Sequence, residues 1–179
     1  MSVLEKVNSQ TRAVLQMMFD KEPLNYIEAA SLYGVVSQGR LNMSLLEALY
    51  NHARDSQLRK LIRESIENHT ELTIEMSENL LEKSQAPLPN INLPNRHLHN
   101  QPLDVNADAS LTDMEIAATI GTMAKGSQMA LLGALLNSYQ LEVAMMLRKR
   151  LDSGLDWNYR LLQLMLDRGW LPQITKISH

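Results

Sequence analysis

A chain of 179 residues with 17 Lys+Arg against 20 Asp+Glu carries a formal net charge of −3, without the basic excess that a dedicated nucleic-acid binder needs. Cysteine is absent, which excludes disulfides, thiolate metal sites, iron–sulfur clusters and a cysteine nucleophile. Hydrophobic residues at 45% with only 7 Gly, 6 Pro and 11 Met suit packed helices, not a turn-rich β protein.

Residues 1–20 read as a short amphipathic helix, with Leu4, Val7, Thr11, Val14 and Met18 at helical spacing. No basic segment followed by a continuous apolar stretch opens the chain, so no signal peptide is expected and retention inside the cell is. Pro23 suits the first turn of a helix, where its missing N–H is not needed. The stripe Leu24, Ile27, Ser31, Val35, Leu41, Leu45, Leu46 and Leu49 carries that helix to about His52. Asp55 is placed to cap a second helix with the stripe Leu58, Ile62, Ile66, His69, Thr73, Met76 and Leu80. The two helices make a first hairpin over 23–84.

Residues 85–111 break the periodicity. Pro87, Pro89, Pro94 and Pro102 stand among five asparagines, which is turn and extended chemistry. A connection this long is required if the second and third helices run parallel and the chain must return along the whole bundle. Leu88, Ile91, Leu93, Leu98 and Leu103 are expected to tie the crossover to the helices. A second hairpin then spans 112–168. Thr112-Asp113-Met114-Glu115 is a capping box, and Ile116, Ile120, Met123, Ser127, Ala130, Leu131 and Ala134 form the inner face of the third helix. Gly121, Gly126 and Gly133 suggest close approach of a neighbour. The fourth helix runs from about Tyr139 to Arg168 and stops at Gly169, with Pro172 beyond. The expected fold is therefore all-α: a ferritin-like four-helix bundle with a long crossover between helices 2 and 3, an extra N-terminal helix, and one domain over 1–179. The longest apolar run, 129–136, is too short to cross a membrane, which takes about 20 residues.

That helix order calls for a test of di-iron chemistry, which needs Glu-x-x-His so that both ligands share a helix face. Leu49, Ile66, Pro94, Arg96 and Lys176 stand three residues before the five histidines, so the motif is missing. No metal, cofactor or catalytic residue is assigned. A metal-binding protein or oxidoreductase would have to use ligands outside that pattern, such as Glu28, His69 and Glu142. His69 on an apolar stripe reads more simply as a hydrogen-bonded core histidine. His97 and His99 share a side of an extended segment, and Met17-Met18 and Met145-Met146 read as core filling. Arg148-Lys149-Arg150 reads as a solvated basic face. No phosphate-binding loop, dinucleotide fingerprint or nucleophile elbow occurs, and no Ser/His spacing proposes a triad. An enzyme is not expected.

Residues 111–172 resemble the spore coat protein F family of endospore-forming bacteria. The resemblance rests on Leu111-Thr112-Asp113-Met114-Glu115-Ile116-Ala117, then Ala124-Lys125, then Asp167-Arg168-Gly169-Trp170-Leu171-Pro172, with Asp104-Val105-Asn106 marking the end of the crossover. The charged residue usual in that family at the start of the fourth helix is missing from Asn137-Ser138-Tyr139-Gln140-Leu141-Glu142. The resemblance implies a metal-free ferritin-like bundle acting as a structural or assembly protein of the coat, with other coat proteins as partners. The surplus of small residues on the third helix, with the stripe in 1–20, predicts self-association as a homodimer.

Overall fold

The computed structural model describes residues 23–106 and 109–171, so the helix expected over 1–20 and Pro172 lie outside the described residues. Among the described residues the chain is all helical, with no strand. Four helical rods are present. The first is α1 (Tyr26–His52); the second is α2 (Ser56–Glu64), continued by a π-helical turn (Ser65–Thr70) into α3 (Glu71–Lys83); the third is α4 (Asp113–Leu136) and the fourth α5 (Leu141–Asp167).

Side-chain pairs fix the directions of the rods. Arg40 meets Glu78 and Leu24 meets Ser84, so the first and second rods are antiparallel. Asn42 meets Ser127 while Glu28 reaches Tyr139, so α1 and α4 are antiparallel. It follows that the second and third rods run parallel. Residues 84–106 therefore run back along the length of the rods, as the long connection requires.

The crossover is tied down, but not by the expected row of leucines. Leu88 and Leu98 pack on the core and Pro89 is fully buried, while Leu103 is exposed. Polar groups of α1 and α2 do most of the fastening. The Asn51 side chain donates to the His97 carbonyl at 2.9 Å and accepts the His99 N–H at 2.9 Å. The Asn51 carbonyl accepts the Leu103 N–H at 2.8 Å. Arg40 donates to the Pro89 carbonyl at 2.6 Å and Arg59 to the His99 carbonyl at 2.5 Å. A segment poor in helix-forming residues thus has its backbone polar groups satisfied by side chains of the helices it crosses.

The helix ends follow local chemistry. Asp55 caps α2 by accepting the Gln57 and Leu58 N–H groups at 2.8 and 2.9 Å. Thr112 and Glu115 form the expected capping box. At Gly169, φ is +66°, and the Trp170 N–H returns to the Met165 carbonyl at 2.9 Å, closing α5 in a Schellman turn. Pro23 does not start α1. Asn25 does, in a capping box with Glu28, because its side chain accepts the Ile27 and Glu28 N–H groups.

Two apolar clusters fill the interior. One joins Leu49, Tyr50, Leu58, Ile62, Ile116 and Leu161, and the other joins Leu32, Val36, Leu81, Leu131, Val143 and Leu147. The inward stripe of α1 holds at Val35, Leu46 and Leu49, which are buried, and departs from expectation elsewhere. Leu32, Val36 and Tyr50 are buried, whereas Ile27, Leu41 and Leu45 are about half exposed. The glycines of α4 do not mark close helix contact. A Cβ on Gly133 would meet nothing within 4 Å, and those on Gly121 and Gly126 would find ordinary contacts at 3.6 and 3.5 Å. The tight glycine is Gly39 of α1, where a Cβ would lie 2.7 Å from Cγ1 of Ile74.

Candidate functional site

The two apolar clusters are separated by a polar waist at mid-height of the rods. A cavity of about 90 Å³ lies there, bounded by all four rods. Its apolar wall includes Val35, Leu46, Ile120, Met123, Leu131 and Trp157. Its polar wall includes Asn42, Ser65, His69, Thr73, Ser127 and Arg150. Every one of the rods contributes a small or polar residue here, so the waist interrupts what would otherwise be one continuous aliphatic core.

The π-helical turn shapes one wall. The Glu71 N–H reaches back five residues to the Ile66 carbonyl, which widens the rod over Ser65–Thr70. The carbonyl of Asn68, inside that turn, faces Nη1 of Arg150 at 3.4 Å. Thr73 donates to the His69 carbonyl at 2.5 Å. Across the cavity, Asn42 donates to Ser127 at 2.8 Å and Gln128 to the Gly154 carbonyl at 2.8 Å. Trp157 donates to the Leu61 carbonyl at 2.9 Å, holding α5 against α2.

Arg150 is the unexpected member. The basic run on α5 is only partly solvated: Arg148 and Lys149 are exposed, but Arg150 is 9% exposed. Its Nε is buried without a hydrogen-bond partner, and among the described residues no carboxylate pairs with it. Its position continues the inward stripe Val143, Met146 and Leu147 at helical spacing, and that register was the available signal.

His69 lies between the cavity and the surface. Its Nδ1 is 3.2 Å from the Ser153 hydroxyl and its Nε2 is 3.7 Å from Oε1 of Glu64. Burial holds the imidazole below the ordinary histidine value, with Glu64 opposing and Arg160 and Arg150 adding to the depression. Glu64 is itself committed to Arg160, which donates to both carboxylate oxygens, one at 2.9 Å. That pairing, against the opposing effect of burial, holds Glu64 below the usual carboxylate range. Ser153, His69 and Glu64 thus follow one another in space, a sequence of groups that spacing along the chain did not reveal. The arrangement falls short of a nucleophile triad: the His–Glu separation exceeds hydrogen-bond length, and Ser153 sits mid-helix. Its neighbouring N–H groups are spent inside α5, so no donor pair faces a developing oxyanion.

The three residues considered as metal ligands are not brought together. Glu28 lies at the start of α1, buried, where its Oε1 accepts the Tyr139 and Gln140 N–H groups at 2.8 and 2.7 Å. His69 meets Ser153, about 20 Å further along α5 at ~1.5 Å per residue. Glu142 is exposed and 3.6 Å from Lys83. Capping chemistry, not metal chemistry, buries Glu28. Among the described residues no group of three or more His, Asp or Glu side chains could hold a metal ion. The His97 and His99 rings meet edge to face at 5.4 Å and belong to no such group among the described residues. No described helix is long and apolar enough to cross a membrane.

Comparison with known proteins gives a consistent picture. The chain is 27% identical over 151 residues to the uncharacterized protein YvdQ of Bacillus subtilis strain 168, covering 84% of this chain and 86% of the relative. It is similar to the crystal structure of a provisionally assigned spore coat protein from Bacillus halodurans C-125, with a TM-score of 0.81 and 25% identity. That alignment covers 89% of this chain and 99% of the other. Residues 13–176 match the family of proteins of unknown function designated DUF3231. The match takes in all four rods and the crossover, and the chain belongs to the DUF3231 family.

Proposed function

We propose that this chain is a non-enzymatic structural or assembly protein of the bacterial spore coat, akin to the spore coat protein F-like family. In this reading it is a single domain built as a ferritin-like four-helix bundle without a metal centre. The observation that carries it is the likeness, over 89% of the chain, to the provisionally assigned coat protein of Bacillus halodurans. The resemblance of the Thr112 capping box and the Gly169-Trp170 turn to the coat family adds to it. A fluorescent fusion followed through sporulation of the organism that encodes the chain tests the reading. A shell of signal around the developing spore is expected; signal confined to the cytoplasm of vegetative cells would contradict it.

A coat protein works by association, and the surface of α4 suits that. Met129, Leu132 and Leu136 form an exposed apolar stripe at helical spacing, extended by Tyr139 and by Tyr26 at the start of α1. The partners in this reading are a second copy of the chain and other coat proteins, with neither nucleic acid nor membrane among them. Light scattering at micromolar concentration should give about twice the 20.3 kDa of one chain. A mass of one chain, unchanged between dilute and concentrated samples, would contradict the dimer.

A further inference from the structure

We propose that the waist cavity binds a short-chain monocarboxylate, its carboxylate held by Arg150 and its aliphatic end by Val35 and Leu131. Three observations converge on it. Arg150 is a cation withdrawn from water, and a buried charge without a partner is costly. Its Nε points at no acceptor, and its one protein bond, to the Asn68 carbonyl, is long at 3.4 Å. Among the described residues no carboxylate lines the cavity, whose titratable groups are Arg150 and His69, so none of them supplies the counter-charge that a bound carboxylate would bring.

Size and lining then choose among anions. About 90 Å³ equals roughly three water volumes at ~30 Å³ each, room for two to four carbons with a head group. Val35 and Leu131 line the cavity within the apolar cluster that contains Leu147, three residues before Arg150, which favours a hydrocarbon tail and disfavours a fully hydrated inorganic anion. Ser127 and Asn42 are already bonded to one another, so the guanidinium supplies the charge for recognition, with the Gln38 and Thr70 side chains also on the wall. A planar carboxylate matches the Nε and Nη edge of arginine in a two-point contact.

Saturation-transfer NMR and calorimetry on the intact chain, with acetate, propionate, butyrate, chloride and phosphate as probes, test the assignment. Saturable binding is expected for propionate or butyrate and should be at least tenfold tighter than for chloride or phosphate. Arg150→Met, which keeps the stem and removes the charge, should weaken it at least tenfold. Ala130→Leu, which fills the cavity beside Arg150 and leaves the arginine in place, should do the same and serves if the arginine variant does not fold. No saturable binding of any carboxylate to the unaltered chain would overturn the proposal, as would equal affinity for chloride or phosphate. Binding undiminished in both variants would place the ligand elsewhere and overturn it too.

Discussion

Glu28 and Asp113 make the same kind of bond at opposite ends of α1. Each is an acidic residue in the first turn of a helix, and each accepts two successive backbone N–H groups from a connection between two other elements. Glu28 takes Tyr139 and Gln140, between α4 and α5, and Asp113 takes Arg54 and Asp55, between α1 and α2, at 2.7 and 3.0 Å. The charge that stabilises a helix N-terminus therefore also fixes the two short connections.

Glu28 is the more consequential of the pair because it is buried and its other oxygen accepts the Asn25 side chain at 2.7 Å. Glu28→Ala should lower unfolding stability by about 3 kcal/mol, since several donors lose a charged acceptor at once. Glu28→Gln should recover part of that through its remaining carbonyl oxygen. Urea unfolding midpoints at neutral pH check this, and a change under about 0.5 kcal/mol for the alanine variant would contradict the clamp.

His69 predicts a distinct acid response. Its folded-state pKa is lowered from 6.5, so the unfolded chain takes up the proton first. Stability is then complete above about pH 6.5 and declines as pH falls towards the lower folded value. Glu64, held low by Arg160, and Asp55, where Arg168 and the Leu58 and Gln57 N–H groups outweigh burial, lose their contributions only below the ordinary values of 4.5 and 3.8. His69→Leu should cost less than about 2 kcal/mol at pH 8, below a typical large-to-small core change. It should also flatten the upper window while leaving the lower one. Denaturant melts from pH 8 to 4 check this; equal slopes in both proteins between pH 6.5 and 5 would contradict it.

The glycines separate packing from propensity. Gly133→Ala, in open space, should stabilise by about 0.5–1 kcal/mol because alanine restricts the unfolded chain and favours helix. Gly39→Ala should destabilise by about 1–3 kcal/mol, since Cγ1 of Ile74 cannot swing clear as a flexible chain end would. Adding Gly39→Ala to Ile74→Ala should then cost nothing further. Thermal melts of the four variants check this, and stabilisation by Gly39→Ala alone would refute the contact.

Features written in local chemistry were legible in the sequence. The Thr112–Glu115 box, the Asp55 cap and the Gly169 turn each depend on residues within a few positions of one another. The parallel second and third rods followed from the length of the proline-rich connection. The missed features depend on distant neighbours. Helical periodicity could not choose Leu32 and Val36 over Leu41 and Leu45, because α1 has apolar residues on more than one face. Arg150 was hidden by Arg148 and Lys149, although one residue of helical rotation turns it inward. Nothing local in the sequence marks the π-helical turn, which shows in the bond from the Glu71 N–H to the Ile66 carbonyl.

The coat assignment is tested most directly by quantitative mass spectrometry of purified spores before and after chemical removal of the coat. The account predicts that the chain is abundant in intact spores, concentrated in the extracted coat fraction and depleted from the stripped spores. Its retention in the stripped spores, or its absence from spores while vegetative cells contain it, would contradict the account.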